Sequence, residues 1–389
     1  MRFSDLSLSA TVAGFVAVLV GFASSVAIVL QAAAAAGASQ EIMASWLLAL
    51  GIGMAVTCIG LSWYFKAPII TAWSTPGAAL LAGSLQGLSI NEAVGVFIFT
   101  AILGVLIGIS GWFDRLTRLI PLPLASAMLA GILLQFGLNI FTSLQTEFLL
   151  VGLMCLSYLL AKRWMPRYAI LLVLVVGLCS VVIGDKFTIA DINLSLTAAV
   201  WVTPHWSINA LLGVGLPLLL VTMASQNIPG VAVIRTSGYQ TPVSPLITST
   251  ALSTLLLAPW GAFSINLAAI TAAICTGPEA HPDKDKRYIA GIAAGIVYLI
   301  AGLAGATVVA LFAALPKEMI AALAGLALLG TIGANLAVST AEGEHREAAV
   351  ITLLVTASGV SFFGIASAFW GMVAGVLTLL LVNGLRRRH

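Results

Sequence analysis

"APIITAWSTPGAALLAG", residues 67–83, interrupts a chain that is otherwise built from long apolar runs. Ala67 precedes Pro68, and the residue before a proline is pushed out of the α region. Ile69-Ile70-Thr71-Ala72-Trp73 is β-branched and aromatic, which favours strand. Ser74-Thr75-Pro76-Gly77 then reads as a helix start, with a hydroxyl N-cap and a proline in the first turn. The apolar run Ala78–Ala82 is too short to cross a bilayer, which takes about 20 residues. A strand and half a helix are therefore expected where a full span should stand.

The rest of the chain sets the context. It has 389 residues, 60% hydrophobic and only 8% charged, against about 25% charged in soluble domains. With a mean hydropathy of +1.10, this is the composition of a polytopic integral membrane protein. The apolar segments are continuous and not alternating, so an all-α protein is expected. The run beyond Thr11 is span-length with no small-residue cleavage site, and reads as the first helix and not as a signal peptide. The net charge of +3 says little about partners, and no nucleic-acid partner is expected. Cys58, Cys155, Cys179 and Cys275 lack pairing or metal spacing and read as buried thiols. No metal and no cofactor is expected.

Fourteen apolar segments can be drawn, two of them short: 69–84 and 264–276. Cytoplasmic loops collect Lys and Arg. With a cytoplasmic N-terminus, fourteen crossings put fifteen basic residues inside: Arg2, Lys66, Arg115, Arg118, Lys162, Arg163, Arg167, Arg235, Lys284, Lys286, Arg287, Arg346, Arg386, Arg387 and Arg388. Only Lys186 and Lys317 fall outside. Both termini are expected in the cytoplasm.

The chain also repeats itself. "LPLASAMLAGILLQFG" from Leu122 resembles "LPKEMIAALAGLALLGTIG" from Leu315, about 193 residues on. "FASSVAIV" at Phe22 resembles "MASQNIPGVAVI" at Met223, about 201 residues on. Two repeats of seven segments follow, 8–185 and 206–385. Seven is odd, so the second repeat enters the membrane in the opposite sense. Transporters with inverted repeats hold substrate near the midplane, where discontinuous helices of the two halves meet. Irregular backbone is tolerated at that depth only where protein or a cavity satisfies it.

These arguments select site residues. A half-helix beginning at Pro76 aims the N–H groups of Gly77, Ala78 and Ala79, and the positive end of its dipole, at the membrane centre. Such an end holds an anion without lysine or arginine. The second half offers Ser264 or Asn266 as a matching cap. Trp73, Phe263 and Trp260 stand beside these starts and can face a planar ring. Ser24, Ser25, Ser225, Gln226 and Asn227 are polar in mid-span, and Pro229-Gly230 suggests a local break. A mid-span serine commonly bonds its own helix, whereas Gln226-Asn227 is costlier to bury. The "PEAHPDKDKR" stretch packs Glu279, His281, Asp283 and Asp285 together. It is either a solvated loop or a proton relay and gate latch. No hydrolase or nucleotide-binding motif is present, so no enzyme is expected.

At "ITAWSTPGAALL", "LVTMASQNIPG" and "PEAHPDKD" the sequence resembles the benzoate:proton symporter family, and the resemblance covers nearly the whole chain. It implies the seven-plus-seven inverted-repeat fold of uracil permease-like transporters. A core domain would be drawn from 8–112 and 206–312, and a gate domain from 121–185 and 316–385. Segments 3 and 10 would each be a short strand plus a half-helix. Nucleobase members carry carboxylates on segments 8 and 10. Here Ser225-Gln226 and Ser264-Ile265 stand in those places, which suits an anionic substrate and leaves the proton carrier open.

The expectation is a multi-pass protein of the bacterial inner membrane that imports benzoate or a similar aromatic carboxylate with protons, by alternating access. Substrate-binding candidates are Ser24, Ser25, Trp73, Ser74, Thr75, Pro76, Gly77, Gln226, Asn227, Phe263, Ser264 and Asn266. Proton-coupling candidates are Glu279, His281 and Asp283. The partners implied are the organic anion, protons, the bilayer and a second copy in a homodimer. Bicarbonate or sulfate transport on the same fold, or an anion channel, are the alternatives.

Overall fold

The computed structural model describes residues 7–113, 121–184, 195–341, 343–363 and 365–386. Arg2, Arg115, Arg118, Lys186, Arg387 and Arg388, which weigh in the orientation argument, lie outside the described residues.

The chain opens with α1 (Leu8–Ala35), α2 (Gln40–Phe65), then β1 (Thr71–Trp73) with α3 (Thr75–Ser84), then α4 (Ile90–Ser110). Next come α5 (Leu122–Thr146), α6 (Phe148–Trp164) and α7 (Ala169–Ile183). The second half runs α8 (Ile208–Thr236), α9 (Val243–Leu257), β2 (Ile265–Leu267) with α10 (Ile270–Thr276), and α11 (Tyr288–Leu303). It ends with α12 (Gly305–Ala313), α13 (Lys317–Ala341), α14 (Arg346–Ala357) and α15 (Ser367–Arg386). Eight of the described helices are long and apolar enough to cross a membrane. Others of the fourteen expected segments are shorter, and the apolar run over 288–313 is divided at Ala304 into α11 and α12.

Packing falls into two groups. In one, α2 lies along α11, α9 along α4, and α1 against α11, α3 and α10. In the other, α5 packs on α13 and α14, α14 on α15, and α6 on α7. The α2–α11 pair is close because small residues face each other: a methyl added at Gly51 would stand 2.8 Å from the Gly302 Cα. Such small-residue contacts are how membrane helices approach.

The irregular stretch at 67–84 forms as its residues dictate. Ser74 is the N-cap of α3, extended at φ −74° and ψ 102°, and its hydroxyl accepts the Gly77 N–H at 2.9 Å. The strand before it pairs antiparallel with β2, in the register Thr71–Leu267, Ala72–Asn266, Trp73–Ile265. Ser74 N–H donates to the Ser264 carbonyl and Ala268 N–H to the Ile70 carbonyl, each at 2.9 Å, extending the ribbon at both ends. Antiparallel pairing is what two strand-plus-helix units of opposite sense make when they meet.

The second unit differs from the expectation. Ser264 and Asn266 do not cap a helix. Residues 265–267 are strand paired with β1, the Ile265 and Leu267 N–H groups donate to the side chains of Thr254 and Asn227, and α10 starts only at Ile270. Ala269 sits at its N-cap position, and no side chain caps the turn.

The break expected at Pro229-Gly230 is a widening. Helix α8 stays continuous but contains two π-turns, 211–215 and 223–227. Leu216 N–H bonds the Leu211 carbonyl and Ile228 N–H the Met223 carbonyl, five residues back. Each π-turn lies just before a proline, Pro217 or Pro229. Proline lacks an N–H and crowds the carbonyl four residues earlier, and a wider turn relieves that clash. Single π-turns are frequent at functional sites.

Candidate functional site

A cavity of about 420 Å³ lies between the two packing groups. That is within the range of about 300–1,000 Å³ usual for small-molecule sites. One wall is made by α1, the β1–α3 junction, α8, the start of α10 and α11. The other wall comes from α5, through Leu122 and Ser126, and from α13, through Leu328, Thr331 and Asn335. No lining residue carries a charge.

Six of the expected site residues line this cavity: Ser24, Ser25, Trp73, Thr75, Pro76 and Gln226. Trp73 is held in place from two sides. Its indole Nε1–H donates to the Ser25 hydroxyl at 2.8 Å, and its ring lies 5.2 Å from that of Phe22. Ser25 in turn donates to the Gly21 carbonyl at 2.7 Å, and Ser24 to the same carbonyl at 3.0 Å. The serines thus bond their own helix, and Ser25 serves the indole as well. Gln226 stands in the second π-turn, half-buried, and its amide has no hydrogen-bond partner among the described residues.

The other six stand behind the wall. Ser74 is fully buried and spends both its oxygens on α3, the hydroxyl on Gly77 N–H and the carbonyl on Ala78 N–H. Two of the N–H groups expected to be open are therefore taken. Gly77 packs tightly on that cap, since a Cβ there would lie 2.8 Å from the Ser74 Oγ and 2.9 Å from Leu218. Asn227 is a strut: its Oδ1 accepts the Leu267 N–H of β2 at 3.1 Å. Ser264 shares a hydrogen bond with Thr222 at 2.9 Å. Asn266 donates to the Ser264 carbonyl, and its buried Oδ1 has no partner among the described residues. Phe263 is wholly buried between Trp46 and Phe97, with ring centroids 6.1 and 6.0 Å away, and Trp260 meets Trp201 at 4.9 Å. Neither aromatic lines the cavity.

The structure adds Ser126, Thr271, Tyr298, Thr331 and Asn335 to the lining. Each is a polar residue in a mostly apolar helix. Nothing local marks such a residue as facing a cavity, because its direction is set by packing.

The 277–287 loop is built around Arg287. Its guanidinium donates to the carbonyls of Thr276 and His281 at 2.7 Å, tying the loop to the C-terminal end of α10. Cations there complement the helix dipole. His281 Nδ1 accepts the Asp283 N–H, and Asp283 Oδ1 accepts the Asp285 N–H. Glu279 and Asp283 are exposed. The loop also docks on the α8–α9 connection: Lys284 donates to the Gly238 carbonyl at 3.0 Å, and Tyr239 to the Lys284 carbonyl at 2.9 Å. Burial pushes the Tyr239 phenol up, so it stays a donor at neutral pH.

Comparison with known proteins decides the family. The model for the family described as "Benzoate membrane transport protein" matches residues 4–381. The chain belongs to that family. It is a membrane transport protein and not an enzyme. Two relatives align over nearly their whole length with this benzoate-family transporter. The "Inner membrane protein YdcO" of Escherichia coli is 49% identical over 389 residues, covering all of both chains. The "Benzoate membrane transport protein" of Acinetobacter baylyi is 46% identical over 378 residues, 97% of this chain and 96% of that one. Among solved structures, SLC26A9 superposes with a TM-score of 0.64 at 14% identity, over 96% of this transporter and 65% of that chain. The transmembrane domain of the cyanobacterial bicarbonate transporter BicA gives 0.58 at 14% identity, over 98% of each. At such identity the likeness is one of fold.

Proposed function

We propose that this transporter imports benzoate or a similar aromatic carboxylate across the bacterial inner membrane, coupled to protons, by alternating access. The observation that carries the reading is the uncharged cavity where the two strand-plus-half-helix units meet. A carboxylate there is held by neutral donors and by the positive end of α3, without a fixed cation. The indole of Trp73 and the apolar side chains of Leu122 and Leu328 offer contact to a ring.

The two packing groups fit the alternating-access scheme. In this reading, segments from 8–112 and 206–312 form a core that carries the substrate, and segments from 121–185 and 316–385 form the gate it moves against. The proton is handled at the 277–287 loop by Glu279, His281 and Asp283, because Arg287 couples that loop directly to α10. Both termini then lie in the cytoplasm.

Bicarbonate or sulfate is the competing substrate class, since one protein of like fold is a bicarbonate transporter. The apolar lining favours a ring over a strongly hydrated inorganic ion. Competition settles it: unlabelled benzoate should displace radiolabelled benzoate uptake in cells, while sulfate, bicarbonate and uracil should not. Displacement by the inorganic anions alone would overturn the aromatic reading.

A further inference from the structure

Tyr298 carries the cavity feature with no evident structural purpose. It stands on α11, is only 2% exposed, and lines the cavity. Its hydroxyl has no hydrogen-bond partner among the described residues. It is not one of the buried side-chain polar atoms left unpaired in the fold, so this unpartnered hydroxyl is open to the cavity and free to meet a bound molecule.

The surroundings show where that hydroxyl aims. A methyl built on Gly21 of α1 would lie 3.7 Å from the Tyr298 Oη and 3.1 Å from the Thr271 Cγ2. The Tyr298 hydroxyl and the Thr271 methyl therefore both pack close to the bare Cα of Gly21. The Thr271 hydroxyl is likewise without a partner among the described residues. Gly21 also adjoins the indole clamp, since its carbonyl accepts from Ser25 and Ser25 accepts from Trp73. Two residues with neutral O–H donors thus line the cavity beside its aromatic wall, and none of the lining residues is charged.

We infer that the Tyr298 and Thr271 hydroxyls hold the carboxylate of the substrate, with Tyr298 as the specificity-determining residue. The inference rests on the aromatic-carboxylate reading above. Each hydroxyl donates one hydrogen bond to an anionic oxygen, and the ring lies against Trp73. Bonds to a charged acceptor are the stronger kind, so loss of one is read directly in affinity.

The test uses the full-length purified protein in proteoliposomes and in detergent, with benzoate as the probe. Tyr298→Phe keeps the ring and removes only the donor. Its KM for benzoate should rise about tenfold or more, with Vmax kept within about twofold. Its thermal midpoint without benzoate should match that of the wild type, while the stabilisation given by benzoate should shrink. Thr271→Val should behave alike. A Tyr298→Phe protein with wild-type KM and wild-type stabilisation by benzoate overturns the assignment. So does a lowered midpoint and Vmax at unchanged KM, which marks a structural role. If the wild type neither transports nor is stabilised by benzoate, the functional reading itself fails and takes this assignment with it.

Discussion

Trp73 and Ser25 are joined across two elements, the indole N–H of the strand residue donating to the helix hydroxyl at 2.8 Å. The bond fixes the indole plane at the cavity wall. Ser25→Ala should leave the buried N–H unpaired, at about 1–3 kcal/mol, and raise the KM for benzoate several-fold. Trp73→Ala should weaken aromatic acids more than acetate-like acids, because aromatic contacts add about 0.5–1.5 kcal/mol beyond area. Uptake kinetics for the two acid classes check both. Equal losses for both classes would return Trp73 to a purely structural role.

The Ser74 cap sets the direction of α3. Ser74→Ala should cost about 1 kcal/mol, seen as a lower thermal midpoint. Gly77→Ala should do more harm, because its methyl would press on Ser74 and Leu218 at 2.8–2.9 Å. We expect folded protein with little uptake, measured beside size-exclusion profiles. Wild-type uptake in the glycine variant would mean that the cap geometry does not shape the site.

Asn227 ties α8 to β2 through the Leu267 N–H. Asn227→Leu leaves that N–H without its acceptor and should destabilise by about 1–3 kcal/mol. Asn227→Asp keeps an acceptor oxygen and should retain more of the thermal midpoint. The order of the two midpoints checks the strut role, and the reverse order would contradict it.

The first strand and half-helix were legible because their signals are local: Pro68, the β-branched run, and Ser74 followed by Pro76. The second unit was not. Ile265-Asn266-Leu267 becomes strand by pairing with residues nearly two hundred positions earlier, so its cap was misread at Ser264 and Asn266. Phe263 looked like a site residue by proximity alone, but packing turns it into the Trp46–Phe97 cluster. Tyr298 sits in a uniformly apolar helix, where sequence gives no sign of which face meets a cavity. The widening of α8 could have been suspected from Pro217 and Pro229, whose missing N–H groups make room for π-turns.

The 277–287 loop bears on coupling. Asp283→Asn and, separately, Glu279→Gln should leave benzoate exchange intact while proton-driven accumulation fails. Acidification of the vesicle lumen on benzoate entry, measured with a trapped pH dye, checks this. If both variants acidify at the wild-type ratio, the proton is carried elsewhere.

The central claim is uphill movement of an aromatic carboxylate through the cavity between the half-helices. The most direct measurement is radiolabelled benzoate accumulation in proteoliposomes under an imposed inward proton gradient, with protein-free liposomes as the blank. The account predicts accumulation above the external concentration, collapse on adding a protonophore, and loss of that accumulation in Gly77→Ala. Uptake that only equilibrates, whatever the proton gradient, would contradict it and point to a channel.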